Sequence, residues 1–132
     1  SGKYTRNKKP EGVTRMSEGW TEPPIRDEKR LWNIVDVVNE IADEHEVSGA
    51  QVALAWTLTR PGVASLVIGG RKIEQIKDNI GAASLKLTDE QIKRLNDVSQ
   101  PPLIYPYWHQ EKFAKDTFSE GDLALFGDRI EK

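Results

Sequence analysis

Among 132 residues rich in helix-forming stretches, one run alone reads convincingly as a strand, Ala64-Ser65-Leu66-Val67-Ile68. It is short, apolar in successive positions and ended by Gly69-Gly70, the pattern of a strand buried on both faces. A lone strand cannot satisfy its own backbone hydrogen bonds, so this run requires strand partners from elsewhere. The order helix, strand, glycine turn, helix is that of a slice through an α/β protein with a parallel sheet. The chain is therefore expected to be a mostly helical piece of a larger fold.

The helical stretches are readable from spacing. Leu31, Ile34, Val35, Val38, Ile41 and Ala42 follow the i, i+3, i+4, i+7 rule, which predicts a helix from Asp27 to about His45 with one apolar stripe. Ser48-Gly49-Ala50-Gln51 has capping-box spacing and opens a second helix that stops at Arg60-Pro61-Gly62. Its body, Val52 to Leu58, is apolar nearly all round, so it is expected to be covered on several sides. A third helix places Ile73, Ile76, Ile80 and Ala83 on one side. Thr88-Asp89-Glu90-Gln91 repeats the capping signature and starts a fourth, with Ile92, Leu95 and Val98 inward and Pro101-Pro102 beyond its end. Residues 1–26 show neither period and read as a long loop, of a length that either covers a binding site or is disordered. Residues 100–132 form a tail rich in aromatic and charged residues.

Charge and composition exclude several classes of function. A net charge of -2, with Lys and Arg dispersed among Asp and Glu, gives no basic face for nucleic acid. The absence of cysteine removes disulfides, thiolate nucleophiles and cysteine zinc sites. Two histidines, His45 and His109, have no companions at metal-ligand spacing, so no metal site is expected. No apolar run approaches the roughly 18 residues that span a bilayer, and a soluble cytoplasmic protein is expected.

The residues that carry chemistry lie at 67–79, where two glycines and two cations stand between the strand and the third helix. Free N–H groups and the positive end of a helix dipole attract phosphate, glycines let it approach the backbone, and Arg71 can add a bidentate fork. Gln75, Asp78 and Asn79 follow within about a turn, within reach of an attached ribose or base. A plain tight turn with solvated Arg71 and Lys72 fits the same composition.

The stretch from Val63 to Ala82, with Ile68-Gly69-Gly70-Arg71, Gln75 and Asp78-Asn79-Ile80-Gly81-Ala82, resembles the last barrel strand and last helix of aldo-keto reductases. Ser48-Gly49-Ala50-Gln51-Val52-Ala53-Leu54-Ala55-Trp56 is similar to the preceding helix, and Leu87-Thr88-Asp89-Glu90-Gln91 with Tyr105-Pro106 to the C-terminal helix and tail. Ser1-Gly2-Lys3-Tyr4 looks like the segment after the seventh strand. The resemblance covers nearly the whole chain in order. It implies the C-terminal part of a (β/α)8 barrel, with residues 1–26 as the loop after strand 7, residues 64–68 as strand 8 and helices within 27–99. Such barrels gather their chemistry at the C-terminal strand ends, with phosphate sites after strands seven and eight.

By the same resemblance, NADP(H) is the cofactor. Gly69, Gly70, Arg71, Gln75, Asp78 and Asn79 would hold its adenosine and 2'-phosphate end, Ser1 and Lys3 would lie along the pyrophosphate, and Arg15 comes from the same loop. The family's catalytic tyrosine, lysine, aspartate and histidine lie on earlier strands, and none of Tyr4, Tyr105, Tyr107, His45 or His109 sits in a corresponding motif. The expectation is a parent oxidoreductase reducing small aldehydes or ketones, with this chain holding the cofactor but no catalytic residue. The missing barrel half, or another chain, would be its partner. The alternatives are a non-catalytic NADP(H)-sensing regulatory subunit and an inactive truncated fragment. Trp20, Tyr105, Tyr107, Trp108 and His109 either line a carbonyl pocket or pack on the barrel, whereas Trp32 and Trp56 read as packing residues.

Overall fold

A computed structural model describes residues 27–102 continuously, together with Arg6, Glu18, Gly19, Ile25, Tyr105, Pro106, Trp108, His109, Lys112, Ser119, Glu120 and Gly121. Ser1, Lys3, Arg15, Trp20 and Tyr107 lie outside the described residues. The chain divides into two units, residues 1–99 and 100–132.

Among the described residues the first unit contains four helices: α1 (Glu28–Glu44), α2 (Gly49–Leu58), α3 (Ile73–Gly81) and α4 (Asp89–Ser99). α1, α2 and α4 start where their capping chemistry places them. Asp27 accepts from the Arg30 N–H at 2.9 Å and opens α1. Ser48 Oγ accepts from the Gln51 N–H at 3.2 Å and opens α2. At α4 the capping box is complete in both directions: the Gln91 N–H donates to Thr88 Oγ1 at 3.2 Å, and Gln91 Oε1 accepts from the Thr88 N–H at 3.0 Å.

The apolar stripe of α1 packs against α4 and α2, and α2 packs in turn against α3. Ile41, Ala42, Val52 and Leu95 form the buried centre, with Val37, Val38, Val47, Trp56, Leu85 and Leu87 around it. Arg30 on α1 donates to the Ser99 carbonyl, supplying a partner to an end of α4 that has no intrahelical one. Arg6 grips Asp36 Oδ2 of α1 through Nε at 3.1 Å and Nη2 at 2.7 Å.

Two expectations are corrected. Residues 63–70 form neither helix nor ladder, and the run expected to be a buried strand is mostly exposed, Val67 completely so. The reason is the one that made the run informative: with no second strand among the described residues, its N–H and C=O groups have no ladder to join. The apolar body of α2 is covered by α1, α3 and, at Trp56, α4, but not all round, since Ala53 and Leu58 stay exposed. On α3 the isoleucine stripe exists but faces outward, with Ile73 at 65% and Ile80 at 59% exposure. Among the described residues no helix is long and apolar enough to cross a membrane.

Candidate functional site

The turn at 69–72 delivers the chain into α3. Lys72 occupies the N-cap with extended backbone and no side-chain cap bond, so no cap side chain covers the first turn. Arg71, Lys72, Ile73 and Glu74 are all exposed. Gly70 fits where a larger residue would not: a Cβ there would stand 2.9 Å from Ile76 Cγ1 and 3.4 Å from the Lys72 carbonyl. At Gly69 a Cβ would meet nothing within 4 Å, so the backbone there is open to approach. Open backbone, an uncapped helix start and two exposed cations suit a phosphate, which Arg can hold in bidentate fashion. Glu74 is the opposing charge in the first turn.

Gln75, Asp78 and Asn79 of α3 have distinct settings. Gln75 Oε1 accepts from the Arg71 N–H at 3.1 Å, closing the turn on itself, and the residue is exposed. Asn79, four residues on, is half-buried on the same side of the helix as Gln75. Asp78 is turned toward α2. Its Oδ2 accepts from Ser48 Oγ and its Oδ1 from Gln51 Nε2, both at 2.7 Å. Spacing along α3 grouped Asp78 with Gln75 and Asn79; it could not show that a residue 30 positions earlier would engage the carboxylate.

A second polar cluster, unforeseen in the sequence, joins α1 to α4. Gln91, nearly buried, donates through Nε2 to Glu44 Oε2 at 2.7 Å, and its Oε1 lies 3.0 Å from His45 Nε2. Because Oε1 can only accept, that imidazole nitrogen carries the proton. Arg94 reaches Glu44 Oε1 at 3.0 Å and Glu40 Oε2 at 2.6 Å. The Gln91 amide first, and the Arg94 guanidinium next, hold the Glu44 carboxyl below the usual carboxylate range. His45 occupies the C-cap of α1, and its ring meets Gln91 in this cluster. The arrangement is closed and structural: every buried side-chain nitrogen and oxygen among the described residues has a partner. Trp56 and Arg60 share one acceptor, Asn96 Oδ1, at 2.8 and 2.6 Å, and the Trp56 side chain packs against the buried centre. Trp32 donates to Glu28 on its own helix at 3.3 Å.

Within the second unit Tyr105 and Trp108 meet edge to face with centroids 6.3 Å apart, and both remain substantially exposed. No group of three or more His, Asp or Glu side chains that could hold a metal occurs among the described residues.

The sequence profile of the Aldo/keto reductase family matches residues 1–100. The chain is similar to aldo-keto reductase ausK of Aspergillus calidoustus, 42% identical over 81 residues, which is 61% of this chain and 20% of that protein. It is 37% identical over 73 residues to versiconal hemiacetal acetate reductase of Aspergillus parasiticus, covering 55% of this chain and 21% of the relative. A putative voltage-gated potassium channel subunit beta of Schizosaccharomyces pombe is 36% identical over 63 residues, 46% of this chain and 18% of the relative. The chain thus spans about a fifth of the length of these curated relatives. With its profile matched over most of the sequence, the chain belongs to the aldo/keto reductase family.

Proposed function

We propose that the chain forms the C-terminal part of the (β/α)8 barrel of an NADP(H)-dependent carbonyl reductase, and that its role there is to hold the adenosine and 2'-phosphate end of the cofactor. The observation that carries this reading is the Gly69-Gly70-Arg71 turn: open backbone and exposed Arg71 and Lys72 stand at the uncapped start of α3. Backbone N–H groups at 73–75 and the helix dipole supply sequence-independent attraction for an anion. Arg71 adds a fork that distinguishes a phosphate from a ribose hydroxyl. Gln75 and Asn79 lie on one face for the ribose and base. Ser1 and Lys3, along the pyrophosphate, and Arg15 from the same loop belong to the same proposed site. When bound, NADPH supplies hydride to an aldehyde or ketone, and this chain's residues bind and orient it. The proton donor and its tuning residues come from the barrel half outside this chain, which is also the partner that pairs residues 64–68.

In the complete protein, Arg71→Ala is expected to weaken NADPH by about ten- to hundredfold while leaving NADH within about twofold. Equal losses for both cofactors, measured by fluorescence titration, would remove the 2'-phosphate role. The channel-subunit relative favours a second reading, an NADP(H)-sensing subunit without turnover. A tyrosine and lysine pair in the barrel half that accompanies this chain would decide for catalysis.

A further inference from the structure

The four helices divide by what holds them. α1, α2 and α4 share the buried centre of Ile41, Ala42, Val52 and Leu95. Polar ties join the same three helices. Gln91 and Arg94 of α4 reach Glu44 of α1, Asn96 of α4 accepts from Trp56 and from Arg60 beyond the end of α2, and Arg30 of α1 donates to the Ser99 carbonyl. α3 contributes no residue to that centre. It is joined to α2 in its second half, where Ser48 and Gln51 donate to Asp78, and the chain is buried again at Ala82.

The start of α3 has a different setting. From Ala64 to Lys77 every residue except Leu66 is exposed. The backbone bond that opens the helix, from the Ile76 N–H to the Lys72 carbonyl, is long at 3.4 Å, against 3.0 Å for Leu31 to Asp27 at α1 and 2.9 Å for Ile92 to Thr88 at α4. No cap side chain supports it. A helix of nine residues is too short to hold itself in water, so the order of its first turn has to come from packing or from the chain that leads into it. That chain is the run 64–68, which has no ladder among the described residues.

We infer that the turn at 69–72 is a conditional site: pairing of residues 64–68 with the rest of the barrel orders it together with the first turn of α3, whereas the unit of α1, α2 and α4 stands without that pairing. The inference rests on the cofactor reading above and adds how that site is switched on. Pairing fixes Ile68, directly before Gly69, and with it the direction in which the N–H groups at 73–75 point. The coupling is reciprocal, so a nucleotide held by the ordered turn stabilises the paired strand by the same factor. All the residues proposed for the adenosine and 2'-phosphate end lie on this chain. A preformed site would therefore bind that end without the barrel half, and a conditional one binds it only in proportion to the fraction of molecules whose turn is ordered.

The test compares the 132-residue chain with the complete protein, using adenosine 2',5'-bisphosphate as the probe, calorimetric titration for affinity and amide hydrogen exchange for order. In the chain alone the amides around Ile41, Val52 and Leu95 should open together and slowly, while those at 73–77 exchange within about tenfold of the rate of an unstructured peptide. The probe should bind the complete protein at least about thirtyfold more tightly than the chain, and only in the complete protein should the amides at 73–77 be protected. Protection at 73–77 equal to that at Ile41 in the chain alone overturns the inference whatever the affinity, because the turn is then ordered without pairing. Affinity of the chain within about threefold of the complete protein's, and lost on Arg71→Ala, overturns it as well. Fast exchange around Ile41, Val52 and Leu95 overturns its other half, since no unit then stands by itself. A complete protein that fails to bind the probe removes the cofactor reading, and this inference with it, whatever exchange pattern the chain shows.

Discussion

Gln91 shows how one side chain serves two levels of structure. As the fourth residue of Thr88-Asp89-Glu90-Gln91 it completes a capping box, a role its spacing predicted. As a nearly buried amide it also joins Glu44 and His45, more than 40 residues earlier, a role no local pattern contains. Asp78 behaves alike, its partners being supplied by a neighbouring helix. The titration of Glu44 follows from the first of these clusters. Its carboxyl is held below the ordinary range by the Gln91 amide and then by Arg94, so the folded chain binds that proton less readily than the unfolded one. The stabilisation is then present above the ordinary carboxylate range and is lost as the pH falls through the lowered native value. Thermal unfolding of Glu44→Gln against the wild type should show the wild type melting higher at neutral pH, with the gap narrowing on acidification across that window. A gap independent of pH would mean that packing and not charge sets the contribution of Glu44.

Helix boundaries at the element scale were legible to within a residue or two, because capping residues and proline or glycine punctuation act locally. The environment of each apolar stripe was not. The stripes of α1 and α3 have the same period, yet Ile41 is fully buried while Ile73 and Ile80 are exposed. Amphipathic spacing states which side is apolar and is silent on whether anything covers it. Truncating the two stripes should therefore give unequal costs. Ile41→Ala removes methyl groups from the centre shared by α1, α2 and α4, and is expected to destabilise the chain by about 2–5 kcal/mol. Ile80→Ala, on the uncovered face of α3, should cost less than about 1 kcal/mol. Denaturant unfolding of both variants measures the difference, and equal losses would show that α3 packs inward in solution.

For the whole molecule the decisive feature is again residues 64–68. Their composition is that of a strand, but β structure is completed by pairing, and the described residues contain no partner. The amides of Leu66, Val67 and Ile68 should accordingly exchange with little protection in this chain alone, while those of α1 around Ile41 exchange slowly. Strong protection at 66–68 would mean that another copy of the chain pairs with the run. The family profile covers residues 1–100, and the curated relatives are about five times longer than the stretch that matches them. By itself the sequence determined the four helices of the described residues and the starts of α1, α2 and α4, because caps, periods and proline or glycine punctuation depend on residues within one or two turns. Only the tertiary structure decided that Asp78 belongs to Ser48 and Gln51, that Gln91 gathers Glu44 and His45, and that α3 turns its isoleucines outward. Those outcomes depend on which distant surfaces meet, and the spacing within a single element does not encode that.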